Sequence, residues 1–278
     1  MFAMKRILFP TDFSTISLNA FEFALDLADN QNADIVVLHT YDSINLNSGQ
    51  ISPKMFDEFR QHMDLKEFQG FKKIAPKFHE IAHKNNLNHI NMEFILERGE
   101  LVQIIKEKVV SEHIDIIVMG SSSNEDASSA ILGGDTYEVI LQTQVPVLCI
   151  PPNASFKLID SVAFSTVFSA SEKKSFEFIL DMAFKKQIQI KCIYVDNKGE
   201  NYAPLLEDWK QIFTDDFLEF VILKEKNAAQ AVSKYIVNNG IDMIATVKRN
   251  ETFFSSLLNP NFTKALAKNV NIPLLAFK

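Results

Sequence analysis

The sequence predicts an α/β protein built from two tandem, doubly wound parallel-sheet domains, and three observations carry that expectation. Runs that are apolar along their whole length, among them ILFP, IVVLHT, IDIIVM and VPVLCI, alternate with stretches of helical periodicity. Strands of that kind are buried on both faces, as in a parallel sheet with helices on each side. The pattern then occurs a second time, and 278 residues are enough for two such units, each with its own core.

In chain order, the first copy begins with the ILFP strand and a helix that places Leu18, Phe21, Leu25 and Ala28 on one face. The IVVLHT strand follows, then a long helical region with an apolar stripe of Phe71, Ile74, Phe78 and Ile81, and the strand INMEFIL. A helix from Leu101 to about Ser111, the IDIIVM strand, the loop from Gly120 to Thr136, a helix to Gln144 and the strand VPVLCI complete the copy.

The second copy is read from identity of pattern. FEFALDLA at Phe21 to Ala28 returns as FEFILDMA at Phe176 to Ala183, an offset of 155, and Phe13-Ser14 aligns with Phe168-Ser169. Further on, DIIVM at Asp115 matches DMIAT at Asp242, and VPVL at Val145 matches IPLL at Ile272, both at an offset of 127. The second copy is therefore shorter, and the residues it lacks fall between Asp42 and about Glu97. The repeat divides the chain into domains 1–152 and 153–278, joined near PPNASFK. Because VPVLCI and NIPLLAF are apolar edge strands, the two copies are expected to pair through them with pseudo-two-fold symmetry.

Composition narrows the function classes. With 47% hydrophobic and 23% charged residues the chain reads as globular, and 24 phenylalanines supply much of the core volume. A net charge of −7 argues against a general binder of nucleic acid or anionic membrane, leaving proteins and small molecules as partners. Pro10 and Asp12 interrupt the first apolar stretch, and no run is long enough to span a bilayer, so a cytoplasmic location is expected. Cys149 and Cys192 each lie in an apolar strand, where a buried, reduced thiol is the ordinary state.

Ligands of doubly wound sheets sit beyond the carboxyl ends of the strands. Two segments fall at that edge, the FPTDFS turn and the loop GSSSNEDASSAILGGDT, which runs into a helix start where free N–H groups and the helix dipole favour anions.

These segments resemble the universal stress protein family in its tandem, two-domain form. The resemblance is carried by KRILFPTDFS with a helix after it, VVLHTYD in the second strand, the VMGS turn with Gly133 before the last helix, and the closing VPVLCIPP. It covers nearly the whole chain. It implies a sheet ordered 3-2-1-4-5, pairing of domains through their last strands, and adenine-nucleotide binding in some members only.

ATP-binding members of that family carry G-x2-G-x9-G-[ST], and here Gly120 and Gly133 fit. Ser123 stands at the second glycine, where a side chain hinders close approach, and Gly134 stands at the final Ser or Thr, followed by Asp135. Asp135 would sit in the first turn of the last helix, stabilising the helix as a phosphate would and repelling a real one. Glu125 and Asp126 add to the negative field, and the loop holds no Lys or Arg. The adenine side is better kept: Thr11 and Asp12 follow the first strand, Thr40 ends the second, and Met119 leads into the glycine loop. Asp12 is read either as an acceptor for an adenine amino group or as a helix cap. ATP or AMP in the N-terminal domain is the sole cofactor the resemblance implies.

In the second copy Val167 replaces Asp12, and Thr246, Arg249 and Asn259 are placed at the three glycine positions, so that site is read as dead. Phe253 and Phe254 are expected to fill its cleft, and Lys248 with Arg249 reads as solvated surface in preference to an anion site.

HEIAHKNNLNH, His79 to His89, matches a metzincin-like zinc pattern except at Asn86, with Glu80 placed as the base. The apolar stripe of the same helix leaves His79, Glu80 and His83 towards solvent, and no metal is expected. No Ser-His-Asp triad is supported. The function expected from sequence is thus a regulatory or scaffold protein of the stress response with a largely degenerate nucleotide site, not an enzyme beyond weak ATP hydrolysis. An ATP or AMP sensor using only the N-terminal domain competes with it, and a metal-dependent hydrolase at HEIAH is the remote alternative. Protein partners are left unnamed and a homo-oligomer is left open.

Overall fold

The computed structural model describes residues 4–41, 53–121, 134–152, 154, 159–184, 186–197, 199, 201–248 and 272–278. The first half runs β1 (Arg6–Pro10), α1 (Thr15–Gln31), β2 (Asp34–Tyr41), α2 (Pro53–Lys84), β3 (Met92–Arg98), α3 (Leu101–Ser111), β4 (Ile116–Gly120), α4 (Gly134–Gln142) and β5 (Val147–Ile150). The second runs β6 (Ser161–Ser165), a 3-10 turn (Ala170–Glu172), α5 (Lys173–Phe184), β7 (Gln189–Val195), α6 (Ala203–Ile212), β8 (Leu218–Leu223), α7 (Ala228–Asn239), β9 (Met243–Val247) and β10 (Leu274–Phe277).

All ten strands form one sheet, ordered β3-β2-β1-β4-β5-β10-β9-β6-β7-β8. Within each half the strands are parallel, in the order 3-2-1-4-5, and the halves meet where β5 and β10 run antiparallel. At this seam Leu148 faces Leu275, while Cys149 faces Leu274 and Val147 faces Ala276. Leu275 is the repeat counterpart of Leu148, and the flanking pairs interchange, so a pseudo-dyad passes through that pair. Pairing the two last strands removes two edges that would otherwise present unpaired backbone. The edges that remain, β3 and β8, are only half buried and carry Glu93, Arg98 and Glu219.

Strands away from the edges are buried on both faces, which is why they read as unbroken apolar runs. One face is covered by α1, α2, α5 and α6, through Phe21, Phe78, Phe176 and Trp209 among others. The other is covered by α3, α4 and α7, through Ile105, Val139, Ile140, Val232 and Ile236.

The duplication extends to backbone detail. Left-handed residues recur as Phe13 (φ 62°) and Phe168 (φ 59°), Asn32 (56°) and Gln187 (52°), and His113 (51°) and Gly240 (61°). The Asp115 carboxylate accepts the N–H groups of Lys5 and Arg6 at 2.6 and 3.0 Å, and Asp242 accepts those of Asp160 and Ser161 at 3.1 and 3.0 Å. The connection between the second and third strands of each half differs, holding the 32-residue α2 in the first and the 10-residue α6 in the second.

Strand register corrects one sequence alignment. β1 and β4 pair Ile7 with Ile116, and β6 and β9 pair Val162 with Met243. Val247, not Thr246, is therefore the counterpart of Gly120, and Thr246 corresponds to Met119. Among the described residues no helix is long and apolar enough to cross a membrane.

Candidate functional site

Strand order reverses between β1 and β4 of the first half, and a cleft of about 330 Å³ opens there at the carboxyl edge. The β1–α1 turn contributes Pro10, Thr11, Asp12, Ser14, Ile16 and Ser17, and the end of β2 contributes His39 and Thr40. Gly99, Glu100 and Leu101 come from the β3–α3 turn, Met119 and Gly120 from β4, and Asp135 and Thr136 from the first turn of α4.

The β1–α1 turn is held by its own hydroxyls. Thr11 Oγ1 lies 2.6 Å from Ser17 Oγ and accepts the N–H of Phe13 at 3.0 Å, which fixes the left-handed turn. Ser14 is the cap of α1, accepting the N–H of Ser17 at 3.2 Å. The reading of Asp12 as the cap is thus corrected: Asp12 lies two residues earlier and its Oδ1 accepts the N–H of Ser14 at 3.0 Å. Its carboxylate is exposed at the rim of the cleft.

His39 Nδ1 is 2.7 Å from the carbonyl oxygen of Thr11, which can only accept, so Nδ1 carries the proton. In the neutral ring Nε2 then keeps a lone pair. The imidazole packs against Phe13 at 4.3 Å between centroids and lies near-parallel to Phe71 at 6.2 Å. Glu100 caps α3, accepting the N–H groups of Val102 and Gln103 at 3.1 and 2.9 Å. With Asp12 and Asp135 it makes three carboxylates around the cleft, and no Lys or Arg is among the described lining residues.

Gly120 has a reason of its own. A Cβ there would lie 3.1 Å from Ile16 Cγ2 and 3.2 Å from the backbone oxygen of Ile16, so glycine lets α1 pack closely on β4 and any side chain would have to press the helix away. In the second half the corresponding residue is Val247, and the corresponding helix starts differently, with the 3-10 turn ahead of α5.

The structure brings Thr11, Asp12, Thr40, Met119 and Gly120 together in one cleft. Gly134 opens α4 with free space around it and does not line the cleft, although Asp135 and Thr136 do. Ser123 and Gly133 lie outside the described residues. Sequence reading missed Ser17, His39, Glu100 and Thr136. A signal existed for two of them: Glu100 precedes an apolar helical run as a cap does, and His39 interrupts an apolar strand.

The second half has closed its counterpart turn from within. Glu172, at the repeat position of Ser17, is fully buried, and its Oε2 accepts from Thr166 Oγ1 (3.1 Å), the N–H groups of Val167 (3.2 Å) and Ser169 (2.9 Å), and Ser169 Oγ (3.0 Å). Val167, in place of Asp12, is 39% exposed and offers no polar group. Arg249, Phe253, Phe254 and Asn259 lie outside the described residues. Lys248 continues the strand, its N–H donating to the carbonyl of Phe277 at 2.8 Å.

The histidine motif is not assembled. His79, Glu80 and His83 are exposed on α2, His79 beside Phe94 at 5.3 Å, while His89 Nε2 meets Asp29 Oδ1 at 2.9 Å. Among the described residues no three His, Cys, Asp or Glu side chains are grouped to hold a metal ion. Both cysteines are buried. Burial raises the thiol pKa of each, and the charge of Glu172 adds to the rise at Cys192.

Fold and cleft together define a duplicated, doubly wound α/β protein with a cleft at the carboxyl edge of its first half. Comparison with known proteins sharpens this class to a family. The family model described as "Universal stress protein family" matches residues 4–151. The chain is 23% identical over 291 residues to the universal stress protein Slr1230 of a Synechocystis species, covering 99% of this chain and 100% of that one. It is 27% identical over 155 residues to the universal stress protein MJ0577 of Methanocaldococcus jannaschii, covering 52% of this chain and 94% of the relative. A universal stress protein structure from Archaeoglobus fulgidus superposes with a TM-score of 0.76 at 19% identity, covering 100% of this chain and 99% of that one, a likeness of fold. The chain belongs to the universal stress protein family.

Proposed function

We propose that this protein is a regulatory or scaffold member of its family, without enzymatic activity of its own, acting through protein contacts and with a nucleotide site that has decayed in both halves. The two halves divide between Pro152 and Asn153 on this reading. The observation that carries it is the charge of the cleft: Asp12, Glu100 and Asp135 line it, unbalanced by a described Lys or Arg. A triphosphate entering there meets like charge in a partly enclosed space, where repulsion is least screened. Asp135 meanwhile stabilises the start of α4 by about 0.3 to 1 kcal/mol, so the helix gains what the ligand loses.

A second reading is supported by the survival of the cleft itself. Its 330 Å³ lies at the lower end of the range for small-molecule sites, and Asp12 and the neutral form of His39 offer acceptors for an amino group. An adenine compound with little or no phosphate, bound only in the first half, would make the protein a sensor.

One titration series tests both readings. ATP and adenosine are titrated calorimetrically against the native protein and against the combined variant Ser123→Gly, Gly134→Ser, Asp135→Asn. Weak ATP binding by the native protein, strengthened about tenfold in the variant with adenosine unchanged, is the expected result. Tight ATP binding that the variant leaves unaltered would overturn the decayed-site reading. For the sensor, adenosine should bind one per chain, weaken with Asp12→Ala and ignore Val167→Ala; two equivalent sites would exclude it.

A further inference from the structure

His39 holds a position in the cleft that packing alone does not explain. It stands near the end of β2, and the repeat offset of 155 places Tyr194 of β7 at the same position. The backbones around the two agree: Thr11 donates its N–H to the carbonyl of Leu38, and Thr166 donates to that of Ile193, both at 2.9 Å. Each ring also packs on the left-handed phenylalanine of the neighbouring turn, His39 on Phe13 at 4.3 Å and Tyr194 on Phe168 at 5.5 Å between centroids. A tyrosine satisfies this packing in the second half, so packing does not call for a histidine in the first.

What the histidine adds is a pair of ring nitrogens with different duties. Nδ1–H is given to the Thr11 carbonyl at 2.7 Å, which leaves Nε2 with its lone pair and, among the described residues, no partner. Asp12, one residue further along the same turn, is fixed in a similar way: the N–H of Ser14 holds Oδ1 at 3.0 Å and leaves Oδ2. Both residues line the cleft. The second half, whose turn is closed by Glu172, lacks both acceptors together, with Tyr194 for His39 and Val167 for Asp12. The ring packing is common to the two halves and the acceptor pair is not, which separates what His39 does for the fold from what it offers a ligand.

We propose that His39 is a specificity-determining residue of the first-half cleft: its Nε2 accepts one hydrogen of a ligand amino group and Asp12 accepts the other, so the site takes an amino-bearing base or nucleoside and turns away the oxo counterpart. This rests on the sensor reading given above. An oxo oxygen in that place would set its lone pairs against those of Nε2 and of the Asp12 carboxylate, with no hydrogen between them. A flip of the imidazole that would present another edge is opposed, because it takes the Nδ1–H away from the Thr11 carbonyl. The backbone of a single turn, through Thr11 and Ser14, thus orients both acceptors before any ligand arrives.

The test titrates adenosine, and inosine with its oxo group in place of the amino group, into the full native chain and into His39→Tyr. That variant copies what the second half already carries, so the ring packing is kept, and thermal unfolding checks its fold. The native chain should prefer adenosine by about tenfold or more, and His39→Tyr should bind adenosine about tenfold more weakly and narrow the preference. Nitrogen-15 NMR of histidine-labelled native protein gives a readout that a purely structural His39 would not move. Adenosine should shift the Nε2 resonance of His39 and leave Nδ1 nearly in place, and this decides alone if His39→Tyr is unstable. Adenosine binding that His39→Tyr leaves unchanged, equal affinity for inosine, or an Nε2 resonance unmoved by bound adenosine would each overturn the proposal while the sensor reading stands. Failure of adenosine to bind the native chain at all would remove the sensor reading and the proposal with it.

Discussion

Single residues in the cleft show how far a sequence pattern can be right for a reason other than the one it suggests. Gly120 fits the phosphate-loop pattern, yet its neighbour in space is Ile16, side chain and backbone, and that close contact by itself favours a glycine. Gly120→Ala should cost about 1 to 3 kcal/mol of stability, the usual range for overpacking against backbone that cannot yield. Urea unfolding measures it, and an unchanged midpoint would show that α1 can shift. Thr11, Asp12 and Thr40 were legible because the cleft takes them from strand ends, whose places the apolar runs mark. His39 and Glu100 carried only a local signal, a polar residue in an apolar strand and a cap before a helix; their places at the cleft depend on a carbonyl 28 residues away and on a helix start whose neighbours only the folded sheet supplies.

At the scale of elements, the starts of α1 and α5 are the clearest case of divergence within one chain. In the first half a small hydroxyl pair, Thr11 with Ser17, holds the turn and leaves room beside it. In the second, Glu172 reaches into the same position and takes four donors. Glu172→Ala should therefore cost about 3 kcal/mol or more, because it strands buried donors, while Ser17→Ala should cost about 1 kcal/mol. Equal losses in chemical denaturation would remove the claim that the second turn is locked by its carboxylate. Helices and strands were legible from periodicity and from the repeated FEF motifs. The misplacement of Thr246 lay within the sequence reading itself: the offset of 127 that matches DIIVM with DMIAT already sets Val247 opposite Gly120, and the pairing of β6 with β9 agrees.

For the whole molecule the decisive feature is the antiparallel seam. Leu148 and Leu275 face each other across the pseudo-dyad and share one core, so they should be energetically coupled. Each truncation to Ala is expected to cost about 2 to 5 kcal/mol, and the double variant should depart from additivity by about 0.5 kcal/mol or more. Unfolding in one transition is expected; two separate transitions with additive losses would mean that the halves are joined without being coupled. The same seam sets a direction. Because β5 and β10 run oppositely, the carboxyl edge of the first half and that of the second point to opposite ends of the sheet. The cleft beside Asp12 opens at one end, and a cavity lined by Lys174, Asp115 and Pro146 opens at the other. The duplication thus gives the molecule two different poles, and whatever meets the first half's carboxyl edge leaves the opposite end of the sheet uncovered.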